Sequence, residues 1–193
     1  MLTTENALLA NLMEGNSRFV EGKSIHPHQD MAHRKMCADE QHPQVAVVAC
    51  ADSRVAPCIL FDQGLGDLFV TRVAGNVVND MILGTLEYGV EHLGIKLIVV
   101  VGHKRCGAVS AAVGGGELSG HLSSLLVPLQ PAVESTRGLV GDPVDNACRE
   151  NVRNMVERLR CSQPLLAEKV MKGELGVAGF FYDLDTGRVE QVK

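Results

Sequence analysis

Two short apolar segments constrain the fold of this chain more than any other feature, because each suits only one kind of environment. Residues 45–50 are apolar throughout, and residues 96–101 are apolar after Lys96. An apolar run of this length, without alternating polar residues, is typical of a parallel strand that is covered on both faces. We therefore expect both segments to lie in the middle of a parallel sheet with helices on either side.

The segments around these two runs predict an alternation of strands and helices. In chain order after the first run, they are a strand at 68–73, a helix at 80–94 capped by Asp80, the second run, a helix that opens near Cys106, a helix at 151–160 and a hairpin at 176–192. This order indicates an α/β fold with a central, mostly parallel sheet of four to five strands flanked by helices.

The length of the chain fits one domain. Its 193 residues suffice to bury a substantial core and are few for two typical domains. We expect a single domain over residues 1–193, in which 1–44 form an N-terminal helical arm and a loop, and 45–193 form the α/β core. Apolar residues at helical spacing predict that the helix of the arm extends through Val20.

Charge and hydropathy exclude several classes of partner. The chain has 18 Lys and Arg against 23 Asp and Glu, a net charge of −5, so we expect no nucleic-acid partner. No apolar run approaches the roughly 20 residues of a membrane-spanning helix, so we expect no membrane partner either.

The start lacks a cationic stretch ahead of an apolar one, which predicts a cytoplasmic protein. In that reducing compartment, the six cysteines are expected to be metal ligands or small buried residues.

Side chains that bind soft metals follow both apolar runs. Cys50 ends the first run, and His103 and Cys106 follow the second as a His-x-x-Cys pair. Functional groups gather outside the carboxyl ends of parallel strands, so we expect these three side chains to meet. Two thiolates and an imidazole fill three positions of a catalytic zinc and leave the fourth open. The alternative is that both cysteines are buried thiols and the histidine is a satisfied core residue.

Two signatures surround these candidate ligands, Cys-x-Asp-Ser-Arg at residues 50–54 and His-x-x-Cys at residues 103–106. Both are signatures of the β-class carbonic anhydrases, which the chain resembles over nearly its whole length. The similarity also covers the segments 66–70, 74–76, 86–88 and 150–152, together with Arg72. The resemblance implies a zinc-dependent lyase, with one Zn²⁺ per subunit, that interconverts carbon dioxide and bicarbonate.

The resemblance also implies roles for individual residues. The zinc ligands of the family are matched by Cys50, His103 and Cys106, its catalytic pair by Asp52 and Arg54, and the substrate-pocket positions of plant-like members by Gln41, Phe69 and Tyr88. The family further implies a homodimer or homotetramer, in which the N-terminal helix reaches over a neighbouring subunit and pocket residues cross the interface.

Asp52 and Arg54 follow a candidate ligand directly, which suggests that they orient the nucleophile. Zinc on two thiolates and a neutral imidazole is formally uncharged, yet it must lower the pKa of water from about 15.7 towards about 7. Asp52, held by Arg54, is expected to accept the hydrogen of the zinc-bound hydroxide and aim its lone pair at carbon dioxide. Without the charge of Arg54, Asp52 is expected to swing in as a fourth zinc ligand and close the site.

The sequence leaves two other functions open. Relatives with the same ligands hydrolyse carbonyl sulfide or carbon disulfide, and Val73 and Cys58 depart from the family pattern in ways that suit an altered pocket. A zinc-binding structural or redox-sensing module would follow if Asp52 or another cysteine filled the fourth position permanently. The chain has no tryptophan, so we do not expect the bicarbonate inhibitory site of one bacterial subgroup.

Overall fold

The computed structural model describes residues 4–115 and 119–193 of the chain. The strands in these ranges are β1 Val45–Ala49, β2 Leu68–Arg72, β3 Leu97–His103, β4 Gly176–Tyr182 and β5 Val189–Val192. The helices are α1 Thr4–Val20, α2 Met31–Met36, α3 Pro57–Leu60, α4 Asp80–His92, α5 Gly107–Gly114, α6 Ser123–Leu126, α7 Gln130–Ser135, α8 Pro143–Arg160 and α9 Leu165–Met171. Within the described part of the chain, no helix combines the length and the apolar character that a membrane crossing requires.

The five strands form one sheet in the order β2-β1-β3-β4-β5. Only the pairing of β4 with β5 is antiparallel, and the other three pairs are parallel. The predicted mostly parallel α/β fold and the edge hairpin are therefore confirmed. Ala49 at the end of β1 lies beside Arg72 of β2 and Val101 of β3, so the carboxyl ends of these three strands meet at one edge.

Both faces of the sheet are buried, as the two apolar runs predict. Every residue of β1 and of β3 is buried. Successive side chains of a strand point to opposite faces. Ala46 and Val48 accordingly pack in a cluster with residues of α4, α5 and α8, whereas Val47 and Ala49 pack with residues of α1 and α3. Burial of each valine stabilises the fold by about 1.5 kcal/mol or more.

Two glycines allow α8 to approach the sheet closely. A Cβ atom at Gly102 of β3 would lie 2.5 Å from Cγ2 of Val152, and one at Gly179 of β4 would lie 2.6 Å from its Cγ1. Because no side chain fits at such distances, only glycine lets Val152 reach both strands. The same approach brings Asn151 to the turn at Ala74–Asn76, where its amide meets the carbonyl of Gly75.

The structure corrects two predicted helix boundaries. The cap of α4 is Asn79 and not Asp80, because Asn79 has an extended backbone and its side chain accepts a hydrogen bond from the N–H of Ile82. Helix α8 begins well before residue 151, because Asp142 caps it and Pro143 occupies its first turn.

Helix α1 of the predicted arm packs on the sheet of its own chain. Leu12 is buried there. Asn16 donates hydrogen bonds to the carbonyls of Leu60 and Gly187, and accepts one from the N–H of Val189. These contacts attach the helix to α3 and to the edge hairpin. That the arm also reaches over a neighbouring subunit stays a prediction.

Candidate metal centre

Three ligand-type side chains meet at the carboxyl edge of the sheet. Cys50 follows β1 directly, His103 is the last residue of β3, and Cys106 is the residue before α5. All three are buried, and their ligand atoms lie within 4.8 Å of one another. The two Sγ atoms are 3.8 Å apart. The parallel register of β1 and β3 places these residues together, as the sequence predicts.

The geometry of the group fits a tetrahedral zinc ion. Two zinc–sulfur bonds of about 2.3 Å at the tetrahedral angle place their sulfurs about 3.8 Å apart, which is the separation of Cys50 and Cys106. Nδ1 of His103 lies 3.0 Å from the carbonyl oxygen of Lys104, so that nitrogen carries the proton and donates it. Nε2 is buried and has no hydrogen-bond partner among residues 4–115 and 119–193, so its lone pair is available to a metal. Metal-ligating histidines typically donate their other ring N–H in this way.

The two thiols of the group hold their protons tightly when no cation is bound. The hydrogen bond with Cys106, together with burial, raises the pKa of Cys50 to about 12. The neighbouring Cys148 thiol is the main cause that raises the pKa of Cys106. A bound cation therefore has to displace these protons, because zinc binds thiolates rather than thiols.

Asp52 and Arg54 form a bidentate pair beside the group. Arg54 donates from Nε to Oδ1 at 2.9 Å and from Nη2 to Oδ2 at 2.7 Å, and its backbone N–H also reaches Oδ1. These bonds from Arg54 lower the pKa of Asp52 far below its ordinary value. Oδ2 of Asp52 lies 3.9 Å from Nε2 of His103. An ionised carboxylate thus stands next to the ligand atoms, held away from them by the guanidinium.

Arg72 fixes the backbone that carries Cys50 and Asp52. Its Nε donates to the carbonyl of Cys50 at 2.9 Å, and its Nη2 donates to the carbonyl of Asp52 at 2.6 Å. In the sequence, Arg72 is marked only by the resemblance to the family. Its place at the carboxyl end of β2 was the signal that could have marked it as a site residue.

A second supporting contact reaches Cys50 from the turn after β2. The N–H of Gly75 points at Cys50 Sγ with an N–S distance of 3.3 Å. The carbonyl of Gly75 in turn accepts a hydrogen bond of 2.9 Å from Nδ2 of Asn151, and this bond is buried. No local pattern in the sequence marks Gly75 or Asn151 as a site residue.

Comparison with known proteins decides the family of the chain. Residues 45–189 match the family model described as carbonic anhydrase, and this range is three quarters of the chain. The chain belongs to the β-class carbonic anhydrases. It is 41% identical to a protein named carbonic anhydrase 2 from Mycobacterium tuberculosis over 92% of this chain and 87% of that protein. It is 40% identical to a carbonic anhydrase of Mycolicibacterium smegmatis over 93% of this chain and 89% of that protein.

Solved β-carbonic anhydrases share the fold. The β-carbonic anhydrase of Coccomyxa, solved in complex with acetazolamide, superposes with a TM-score of 0.78 at 30% identity, covering 98% of this chain and 87% of that one. A tetrameric β-carbonic anhydrase of the filamentous ascomycete Sordaria macrospora gives a TM-score of 0.78 at 27% identity, covering 97% and 98%. The likeness spans the arm helix as well as the α/β core.

The three pocket residues implied by the β-carbonic anhydrase family contact other parts of the chain. Phe69 on β2 is partly buried and lies against Gly89 of α4. The side chain of Tyr88 is half exposed, with its ring 5.0 Å from that of His92. Gln41 is exposed and lines a groove of about 530 Å³ formed with Arg34, residues 37–40, Leu65 and Gly66. Their substrate role stays a prediction.

Proposed function

We propose that this protein is a zinc-dependent carbonic anhydrase that interconverts carbon dioxide and bicarbonate, with Cys50, His103 and Cys106 as ligands. The observation that carries the proposal is the buried group of three ligand-type atoms, in which two sulfurs lie 3.8 Å apart and Nε2 of His103 has no hydrogen-bond partner in the described part of the chain. Two sulfurs and one nitrogen suit zinc among the common divalent metals. Three protein ligands leave one position for chemistry, as in other catalytic zinc sites.

When bound, zinc supplies a Lewis acid that lowers the pKa of water from about 15.7 to about 7 and so provides a nucleophile near neutral pH. Asp52 accepts a hydrogen bond from that nucleophile and fixes its orientation. The two bonds from Arg54 occupy one side of the carboxylate, so the side towards His103 remains for this role. Because the pKa of Asp52 is lowered by Arg54, the carboxylate stays an acceptor across the neutral range.

Arg54 has a second role in this proposal, which is to keep Asp52 off the metal. Its side chain is 52% exposed, whereas that of Asp52 is 16% exposed and that of His103 is fully buried. The pair therefore lies between solvent and the ligand group. A carboxylate that lost its guanidinium partner would be free to turn towards the metal and fill the fourth position.

The substrate pocket is proposed from the family positions. Carbon dioxide is small and apolar, and an apolar wall with a few polar groups suits such a ligand. Phe69 and Tyr88 provide apolar surface, and Gln41 provides an amide that can donate to a bicarbonate oxygen. Hydration of carbon dioxide also releases one proton for each bicarbonate formed, and that proton leaves to solvent or buffer.

We further propose a homodimer or homotetramer of single-domain subunits in the cytoplasm. The Sordaria relative is tetrameric. Gln41 and Tyr88 are exposed here, and Val70 of the edge strand β2 is also partly exposed. These surfaces suit an interface through which one subunit completes the pocket of another. Cytoplasmic placement is supported by the six free cysteines, because two thiol ligands require reducing conditions.

The proposed function is tested by stopped-flow hydration of carbon dioxide with a pH indicator, beside a zinc determination and an assay of sulfide release from carbonyl sulfide. We expect one zinc per chain, rapid hydration and no sulfide release above background. The relatives named above are carbonic anhydrases, which does not favour the alternative hydrolase. Zinc-loaded protein that is inactive in hydration would contradict the proposal, and sulfide release without hydration would replace it with the hydrolase.

A further inference from the structure

We propose that Asn151 is a positioning residue of the metal centre, which holds the Gly75 turn so that its N–H donates to the sulfur of Cys50. This inference deepens the proposed function and rests on Cys50 being a zinc ligand. Two hydrogen bonds that link three buried residues carry it. Nδ2 of Asn151 donates to the carbonyl of Gly75 at 2.9 Å, and the N–H of the same glycine lies 3.3 Å from Cys50 Sγ.

The conformation of the turn favours glycine at position 75. Gly75 has a φ of 75°, in the left-handed region that side chains disfavour. A Cβ atom there would also lie 3.1 Å from Cδ1 of Leu129 and 3.4 Å from Cβ of Ala108. The donor to the sulfur is therefore a backbone N–H, and its position is set by the conformation of this turn.

Backbone hydrogen bonds attach Val73, the residue before the turn, to the end of β1, and the N–H of Asn76 closes the turn by donating to the carbonyl of Val73 at 3.0 Å. The N–H of Val73 donates to Ala49 at 3.1 Å, and the carbonyl of Val73 accepts from Ala51 at 3.2 Å. These bonds place Val73 next to Cys50. The carbonyl of Gly75 has no part in them, and it is held by Asn151 instead.

Asn151 is itself fixed by the packing of α8. The residue is 1% exposed, and the next residue, Val152, packs between Gly102 and Gly179 of the sheet. Its amide orientation follows from its partner, because a carbonyl oxygen accepts only from the NH₂ group. A buried amide that is aligned on one carbonyl limits rotation of the Gly75 backbone, and with it the direction of the N–H at Cys50.

A hydrogen bond to the sulfur matters because it fixes the direction of the buried Sγ of Cys50. The N–H also draws electron density from the sulfur, so its loss changes how strongly the sulfur donates to a bound metal. Removal of Asn151 is expected to weaken metal retention and to change the electronic state of the sulfur–metal bond. Partners of ligands typically change metal affinity by about 10-fold to 100-fold.

The test uses the cobalt(II)-substituted protein, whose sulfur-to-metal charge-transfer bands report on the thiolates directly. In Asn151→Asp, the side chain keeps its shape, but a carboxylate oxygen replaces the NH₂ donor and repels the carbonyl oxygen of Gly75. We expect the bands to move to longer wavelength and cobalt loss to a chelator to be about 10-fold to 100-fold faster. Asn151→Ala is measured in parallel and is expected to change in the same direction, so that the test does not depend on the folding of one variant.

Leu159→Ala is the matched control, because Leu159 is buried on the same helix two turns further on. It lowers stability through a cavity but leaves the turn intact. Unchanged bands and chelator kinetics in that control, with altered ones in both Asn151 variants, support the proposal. If both Asn151 variants show the bands and rates of the wild-type protein, this inference is wrong, but the proposed metal site is not contradicted. A wild-type protein without sulfur-to-cobalt bands overturns the proposed zinc function itself, and this inference with it.

Discussion

Arg54 contacts Asp52 through both carboxylate oxygens, at 2.9 Å from Nε to Oδ1 and 2.7 Å from Nη2 to Oδ2. Charge-assisted bidentate bonds of this kind fix orientation as well as charge. Because Oδ2 also lies 3.9 Å from Nε2 of His103, the pair sets where an ionised acceptor lies relative to the candidate metal ligands. Two consequences can be measured separately, one for each member of the pair.

Replacing Asp52 with Asn should remove most of the hydration activity while zinc is retained. Asparagine keeps the shape of the side chain but lacks a charge, and its NH₂ group faces either Arg54 or the nucleophile as a donor. We expect kcat to fall by about 100-fold or more, with one zinc per chain. Stopped-flow hydration and zinc analysis of the same sample measure both quantities. Full activity in the variant would remove Asp52 from the mechanism.

Replacing Arg54 with Met should inactivate the enzyme by a different route. Without the guanidinium, Asp52 is free to reach the metal and close the fourth position. We expect X-ray absorption of the zinc-loaded variant to show a carboxylate in the coordination shell, and activity to fall by about 100-fold. The double variant with Asp52→Asn tests the route, because it has no carboxylate to close the site. If Arg54→Met alone showed no added carboxylate, this account of Arg54 would be wrong.

The sheet and the meeting of the three candidate ligands were predictable because their signals are local in the sequence. Residues 45–50 and 96–101 form uniformly apolar runs, and Cys50, His103 and Cys106 follow them within a few residues. Parallel pairing then suffices to bring the two strand ends together, and the register confirms it through Ala49 and Val101. Local patterning thus specifies both the strands and the edge at which the ligands meet.

The parts that escaped prediction depend on contacts between distant segments. Asn151 is 76 positions from Gly75 along the chain, and only the close packing of α8 joins them. The cap of α4 escaped for a different reason, because Asn79 and Asp80 are both good capping residues and only the backbone conformation selects the first. The start of α8 is marked in the sequence by Asp142 and Pro143, but the predicted helix was placed by the apolar spacing that begins at residue 151, so this start was missed.

Removing either of two neighbouring thiols should have unequal effects on the metal. Cys106 belongs to the ligand group, whereas Cys148 of α8 interacts with Cys106 without belonging to it. We expect Cys106→Ala to weaken zinc binding by more than about 100-fold, because a first ligand matters more than its supporting groups. Cys148→Ala should retain one zinc per chain. Zinc content after dialysis against a weak chelator compares the two, and equal retention would exclude Cys106 as a ligand.

Asp62 offers a test of the fold away from the metal centre. Its side chain is 1% exposed, and it accepts hydrogen bonds from Arg18 and from the N–H groups of Ile25 and His26. Burial alone would raise the pKa of Asp62, but the bonds from Arg18 and the two backbone groups outweigh burial and lower it. Asp62 therefore joins α1 and the loop after it to the core as a carboxylate.

Replacing Asp62 with Asn should destabilise the protein in a pH-dependent manner. Since the folded-state pKa lies below the unfolded value of about 3.9, the stabilisation is present above about pH 4 and is lost as pH falls through the folded-state pKa. We expect the free energy of unfolding to drop by about 2 kcal/mol at neutral pH, and this deficit to shrink in acid. Urea titrations followed by far-UV circular dichroism measure it, because the chain has no tryptophan. Asp39→Asn, at an exposed position, is the control; a pH-independent deficit at Asp62 would contradict the ionised state.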